Sequence, residues 1–238
     1  MSFEREVKGN ILLDALPEDV FAQVAPCLEI VDLVEHNVLQ RPNKPVAHAY
    51  FPVAGLCSVI AMSSAEIPTE VGIIGYEGFT GTEIALSVDT SPLQVLVQKT
   101  GRAARMERTD VKRLIADHRE FHAVLMKFVH AFIIQNAQTT DANSHYRLSQ
   151  RLARWLLMCQ DRSHSPSLEL THDFLATMLS VRRPSVSEAL EELEGKRWIE
   201  NTRGKVRILQ RRGLIEWAGS SYGVAEDEYA KLFRDIRT

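Results

Sequence analysis

Short apolar stretches broken by turn residues fill the first hundred positions. Ile30–Val34, His48–Phe51, Leu56–Ile60, Val71–Ile74 and Leu93–Val97 each have strand length, and Gly55, Gly72, Gly75, Gly78, Gly81 and Gly101 punctuate them. This spacing predicts an antiparallel sandwich or barrel ending near Met106. Pro17, ahead of Glu18, Asp19, Val20 and Phe21, predicts a short helix before the first strand. The pattern then changes, because from Asp110 to about Asp161 there is neither Gly nor Pro, and helices are expected. Phe121, Leu125, Phe128, Phe132 and Gln135 recur at steps of 4, 3, 4 and 3, a seam suited to packing on another helix. Such a stripe either covers the β domain or joins two copies. The helix is long and also carries Ala131, Ile133 and Ile134, which favours a symmetric dimer. Tyr146 to Gln160 reads as a further amphipathic helix with Leu148, Leu152, Trp155, Leu156 and Cys159 inward.

Ser163 to Ser167 reads as a loop and as the best domain joint. Beyond it, Thr171 stands before Phe174, Leu175, Met178 and Leu179 and can cap a helix by accepting a backbone N–H. That helix should end near Leu179. Ser180 and Val181 form a tight turn, and Pro184 suits the first turn of a second helix that runs to about Glu194 and buries Val186, Leu190 and Leu193. Two helices joined so tightly cross steeply, as in a helix-turn-helix. The second would present Arg182, Arg183, Ser185, Ser187 and Glu188 outward. Trp198–Glu200 and Lys205–Leu209 flank a turn at Gly204, a hairpin that gives the motif a basic wing.

Charge sharpens this picture. The net charge of −3 hides an acidic residue 1–143 segment (12 basic, 18 acidic side chains) and a basic residue 144–238 segment (16 basic, 13 acidic). Residues 196–212 hold seven basic groups, Arg203 and Lys205 among them, against Glu200. Such a block suits a polyanion, and beside a helix with donors and acceptors it suits a major groove flanked by phosphates. Composition is that of a globular chain, with 45% apolar and 25% charged residues. No apolar run approaches the ~20 residues of a membrane helix, and the N-terminus lacks a signal-like apolar core, so no membrane association and a cytoplasmic location are expected. Cys27, Cys57 and Cys159 include no CxxC pair and are expected reduced, which excludes a four-thiolate metal site in one chain.

The helix-turn-helix and wing, with the β domain and long helix before them, make the chain resemble the Crp/Fnr superfamily of bacterial transcription regulators. The resemblance spans essentially the full length. It implies an α+β fold: an antiparallel β jelly-roll of the cyclic-nucleotide-binding kind at residues 1–118, a dimerisation helix at 119–143, and a winged helix-turn-helix at 144–238. By the same resemblance Thr171, His172, Arg182 and Ser185 match phosphate contacts, and Arg183, Pro184 and Glu188 match base-reading positions. The family's turn glycine is Ser180 here, and its common Glu and Arg are replaced by Pro184 and Glu188. Glu188 can accept from cytosine but cannot grip guanine as Arg does, so a different operator is expected.

The stretch from Val71 to Leu86 is similar to the opening of the family's phosphate-binding cassette. In nucleotide-binding members a Gly-Glu pair holds the ribose and a downstream Arg the phosphate. Here Thr82 separates Gly81 from Glu83, and no cation lies between Glu77 and Gln98, where Asp89 would instead repel a phosphate. The purine-contacting pair on the long helix corresponds to Asn136 and Ala137. A degenerate effector pocket is expected, with no cofactor and no assigned effector. A cAMP- or cGMP-gated regulator is the alternative. His118 and His122 share a helix face but read as surface histidines, so no metal site is expected. A jelly-roll enzyme is a third reading, but it would need convergent histidines, and His48 stands alone between His36 and His118. The expected partners are double-stranded DNA and a second copy of the chain, with RNA polymerase as a further one that the resemblance admits.

Overall fold

The computed structural model describes residues 7, 9–62, 68–163 and 167–234. Two short helices, α1 (Ile11–Asp14) and α2 (Glu18–Val24), open the chain. A five-stranded antiparallel sheet follows, made of β1 (Leu28–Leu33), β2 (Val38–Gln40), β3 (His48–Met62), β4 (Pro68–Ile74) and β5 (Gln94–Glu107). Its order is β1-β5-β3-β4, and β2 also pairs with β5. Single bridges from Pro45 to Thr90 and from Tyr50 to Thr80 extend it into a roll. The expected strands at His48–Phe51 and Leu56–Ile60 are one long strand. Its register shifts between Pro52 and Cys57, and these irregularities carry it past Pro52 and Gly55 without ending the ladder.

A one-turn helix, α3 (Thr82–Ala85), sits between β4 and β5. Three helices then run almost without break: α4 (Arg108–Asp117), α5 (Arg119–His145) and α6 (Leu148–Ser163). The C-terminal half continues with β6 (Ser167–Glu169), α7 (His172–Met178), α8 (Arg183–Gly195), β7 (Ile199–Thr202), β8 (Lys205–Ile208), α9 (Arg211–Ala218) and α10 (Val224–Leu232). Strand β6 falls where the sequence predicts only loop. It becomes a strand by pairing with β8, Leu168 opposite Val206, so its cause lies about 40 residues away.

The dimer seam expected at Phe121, Leu125, Phe128 and Phe132 is corrected by the structure. Phe121, Leu125 and Phe128 are 1%, 0% and 2% exposed and belong to the core of their own roll, with half-buried Phe132 packed beside them. The reason lies in β4 and the turn that follows it. A methyl group at Gly78 would stand 2.2 Å from the Phe128 ring, and one at Gly72 would stand 2.7 Å from the Phe132 ring. The glycines thus leave flat hollows that these rings fill, and Phe128 also meets Phe79 at 5.5 Å between centroids. Gln135 ends this face by pairing with backbone as a neighbouring strand would. Its oxygen accepts from the Ile73 N–H (2.8 Å) and its amide donates to the Ile73 carbonyl (3.2 Å).

The second core belongs to the C-terminal half, yet it includes Leu56, Ile60 and Ile73 of the roll, each at most 3% exposed. Three buried aliphatic side chains represent roughly 5–9 kcal/mol of gross apolar burial. The two halves therefore share packing across the expected boundary at residue 144. Polar contacts reinforce the joint: Trp155 Nε1 donates to Glu70 (2.6 Å), and the Glu77–Arg162 ion pair (2.6 Å) is about nine-tenths buried. Cys57 and Cys159 are buried free thiols and Cys27 is half-buried. Among the described residues no helix is long and apolar enough to cross a membrane, and no cluster of His, Cys, Asp and Glu could hold a metal ion.

Candidate nucleic-acid interface

Thr171 caps α7 as its sequence position predicts, its hydroxyl accepting from Phe174 N–H at 3.1 Å. Leu175, Ala176 and Met178 turn inward, and Leu179 follows them. Ser180 then adopts φ +52°, the left-handed conformation a tight turn requires and the one for which the resembling family uses glycine. A serine there bears some strain, and its side chain has two partners that a glycine would lack. Ser180 Oγ donates to the Pro68 carbonyl (3.0 Å) and lies 2.7 Å from Thr69 Oγ1, so the turn is fastened to β4 of the roll.

Helix α8 begins beyond Arg182, with Pro184 in its first turn. Val186, Ala189, Leu190 and Leu193 face the core. Arg182, Arg183, Pro184 and Glu188 are exposed, whereas Ser185 and Ser187 are half-buried. Ser187 does not point freely outward: its hydroxyl lies 3.0 Å from His172 Nδ1, and the other ring nitrogen of His172 lies 3.5 Å from Asn201 Nδ2. His172 is thus a strut that ties the start of α7, the second turn of α8 and strand β7 into one unit. Sequence reasoning assigns it only a phosphate contact. Arg183 Nε lies 3.3 Å from Asp173, and with both side chains mostly exposed this pair holds it only weakly.

The wing is the β7–β8 hairpin, with Glu200 opposite Arg207 and Gly204 at φ +75° in the turn. Part of the basic block has partners within the protein, the exposed Arg207 and Arg212 pairs holding their cations only weakly. Arg207 pairs with Glu200 (2.9 Å), Arg212 with Glu216 (2.9 Å) and Arg211 with Asp161 (2.6 Å). Lys196 lies over the Trp198 and Trp217 rings at 5.0 and 4.5 Å. Arg203 and Lys205 are exposed and have no ion pair among the described residues. The positive surface is narrower than the block of seven suggests: Arg197, Arg203 and Lys205 around the wing, Arg182 and Arg183 at the start of α8. Glu191 lies three positions beyond Glu188, is also exposed, and shares its helical face.

The expected effector residues make local contacts. Gly81 begins α3 at φ +80°, Glu83 accepts from Gln40 Nε2 (3.0 Å), Asn136 donates to the Phe132 carbonyl of its own helix (2.6 Å), and Ala137 is exposed. Thr82 lies beside Glu83 in the same turn. Asp89 is not an open repulsive charge. Arg108 pairs with it and also donates to the Val46, Val88 and Asp89 carbonyls, while Lys112 lies 3.5 Å away.

Residues 150–217 match the family described as the Crp-like helix-turn-helix domain. Comparison with curated protein sequences gives no match. Among solved structures, the c-di-GMP-responsive global regulator CLP of Xanthomonas campestris is similar with a TM-score of 0.67 at 13% identity, covering 81% of this chain and 99% of that one. FixK2 of Bradyrhizobium japonicum gives 0.70 at 13% identity, over 81% and 98%. A CRP/FNR-family transcriptional regulator of Thermus thermophilus gives 0.61 at 21% identity, over 80% and 98%. The helix-turn-helix of this chain is Crp-like, and its fold is that of Crp/Fnr transcription regulators.

Proposed function

We propose that the chain is a DNA-binding transcription regulator that works as a homodimer on a palindromic operator and needs no cyclic nucleotide. The observation that carries the DNA reading is the His172 strut, which holds the capped start of α7, the N-terminal turns of α8 and the wing as one surface. Around it stand Thr171, Arg182, Arg183, Pro184, Ser185, Glu188, Arg203 and Lys205. A rigid helix N-terminus flanked by cations is what base reading between two phosphate backbones requires.

The dimer reading moves to the opposite face of α5. Ala123, Met126, His130, Ile133 and Ala137 recur at steps of 3, 4, 3 and 4, a second seam half a turn from the aromatic one. All are exposed or half-exposed, Ile133 at 59%, with His130 also meeting Glu228 of α10 (3.4 Å) and Met126 touching the roll's core at the edge of the seam. A two-fold dimer that reads a palindrome needs its two α8 helices on successive major grooves, about 34 Å apart. Nucleotide independence rests on charge, since Arg108, which meets the loop at Val88 and Asp89, is already paired with Asp89.

Fluorescence anisotropy on labelled promoter DNA tests the site. Arg203→Ala and Lys205→Ala should weaken operator and scrambled DNA alike and each lower the salt slope by about 1. Glu188→Ala should change the ranking of sequences, and uniform weakening of all DNA by that variant would refute its base-reading role.

A further inference from the structure

Helix α10 does not pack on the wing. It lies along α5, where Tyr229 OH donates to the Glu77 carbonyl of the roll (2.7 Å) and Phe233 is buried in the roll's core. Between this helix and the rest of the chain is a cavity of about 510 Å³, within the range of small-molecule sites. Its lining includes neither Gly81, Thr82 and Glu83 nor Asn136 and Ala137.

Two features of the wall define an occupant. The first is a pair of aromatic stacks. Phe128 and Phe132 lie 5.9 Å apart at 21°, and Tyr229 and Phe233 lie 4.6 Å apart at 27°. All four rings line the cavity, with Ala131 on its α5 side and Ala230 on its α10 side. The second is charge compensation. The wall carries three carboxylates (Glu77, Asp161 and Glu226) and three arginines (Arg162, Arg211 and Arg234). Arg162 is held by Glu77 (2.6 Å) and Arg211 by Asp161 (2.6 Å), Tyr222 OH donates to the same Asp161 (2.7 Å), and Arg234 is exposed just past α10. A charged ligand would have to break one of these pairs or sit in a wall whose three carboxylates and three arginines leave no net charge. An uncharged planar molecule would instead meet aromatic faces and displace water from them.

We propose that this cavity binds an uncharged, largely aromatic small molecule, held between the α5 and α10 rings. The walls come from the roll (Tyr76, Glu77), the long helix and the C-terminal half (Asp161, Arg162). An occupant therefore bridges all three and stabilises the arrangement in which the halves are joined. The site does not depend on the DNA-binding reading and stands or falls separately from it.

The test uses two probes with the same aromatic frame: N-phenylnaphthylamine, which is neutral, and anilinonaphthalene sulfonate, which is an anion. The full chain should bind the neutral probe saturably, one per chain, with fluorescence enhancement and a raised melting temperature. The anion should bind roughly tenfold or more weakly. Ala230→Trp, on the exposed side of α10, and Ala131→Met, on α5, each grow into the cavity and should each weaken the neutral probe by roughly tenfold while circular dichroism stays native. Three results would overturn the proposal: no saturable binding of the neutral probe by the native chain, as when a second copy fills the slot; equal affinity for the anion; or unchanged affinity in whichever variants fold.

Discussion

Glu70 sets a measurable pH dependence on the joint between the two halves. It lies on β4, 6% exposed, and meets Trp155 of α6 at 2.6 Å. Burial raises its midpoint from the usual 4.5 to about 7, against the opposing effects of hydrogen bonds from Ser58 and Trp155 and of the Arg154 and Arg162 charges. Below pH 4.5 the carboxyl is protonated whether the chain is folded or not. Between 4.5 and about 7 the folded chain keeps a proton that the unfolded chain has released, so stability falls as pH rises. Above about 7 the loss is complete. A midpoint moved from 4.5 to about 7 corresponds to about 3 kcal/mol. Glu70→Gln keeps an acceptor for the Trp155 N–H and removes the titration. Urea unfolding from pH 5 to 8.5 should show the native chain losing on the order of 3 kcal/mol relative to the variant as pH rises. Somewhat under ~1 kcal/mol of that loss should already be present at pH 5 and the rest should appear by about pH 7. Parallel profiles, or a native chain that gains on the variant with rising pH, would refute the burial of this carboxyl at the joint.

Other perturbations follow from single contacts. Gly213→Ala puts a methyl 2.2 Å from the Trp198 indole nitrogen, in the Trp198–Trp217 pair behind the wing, and should cost roughly 1–3 kcal/mol in a thermal melt. Glu77→Gln leaves the buried Arg162 charge uncompensated and should cost about 3–5 kcal/mol, read by urea unfolding. Ile133→Glu, on the second seam of α5, should convert a dimer to monomer in sedimentation velocity, whereas the buried Phe128→Ala should unfold the roll before it alters assembly.

The helix-turn-helix was readable because its causes are local. A capping Thr171, a proline in the first turn of α8, and an inward stripe at Val186, Leu190 and Leu193 lie within about 25 residues of one another. The same holds for the wing, which needs only Gly204 and two alternating flanks. Strand β6 was not readable, since Ser167–Glu169 has no strand signal of its own and forms by pairing with β8. Helix α5 shows a subtler limit. It carries two seams of the same period on opposite faces, and periodicity alone does not say which one covers the chain's own core. The choice is made by the glycines at 72 and 78, whose hollows accept the rings of Phe132 and Phe128. The basic block was legible as charge, but which cations remain for a polyanion depends on partners far away in sequence, such as Asp161 for Arg211.

Selection of bound sites from a random pool of double-stranded DNA by the purified full chain, with no nucleotide added, tests the DNA-reading account most directly. The account predicts enrichment of one palindromic motif whose half-sites are centred about one helical turn apart, and a changed motif when Glu188→Ala is used in the same selection. Recovery of no motif, at a salt concentration where non-specific binding is still measurable, would contradict sequence reading by α8.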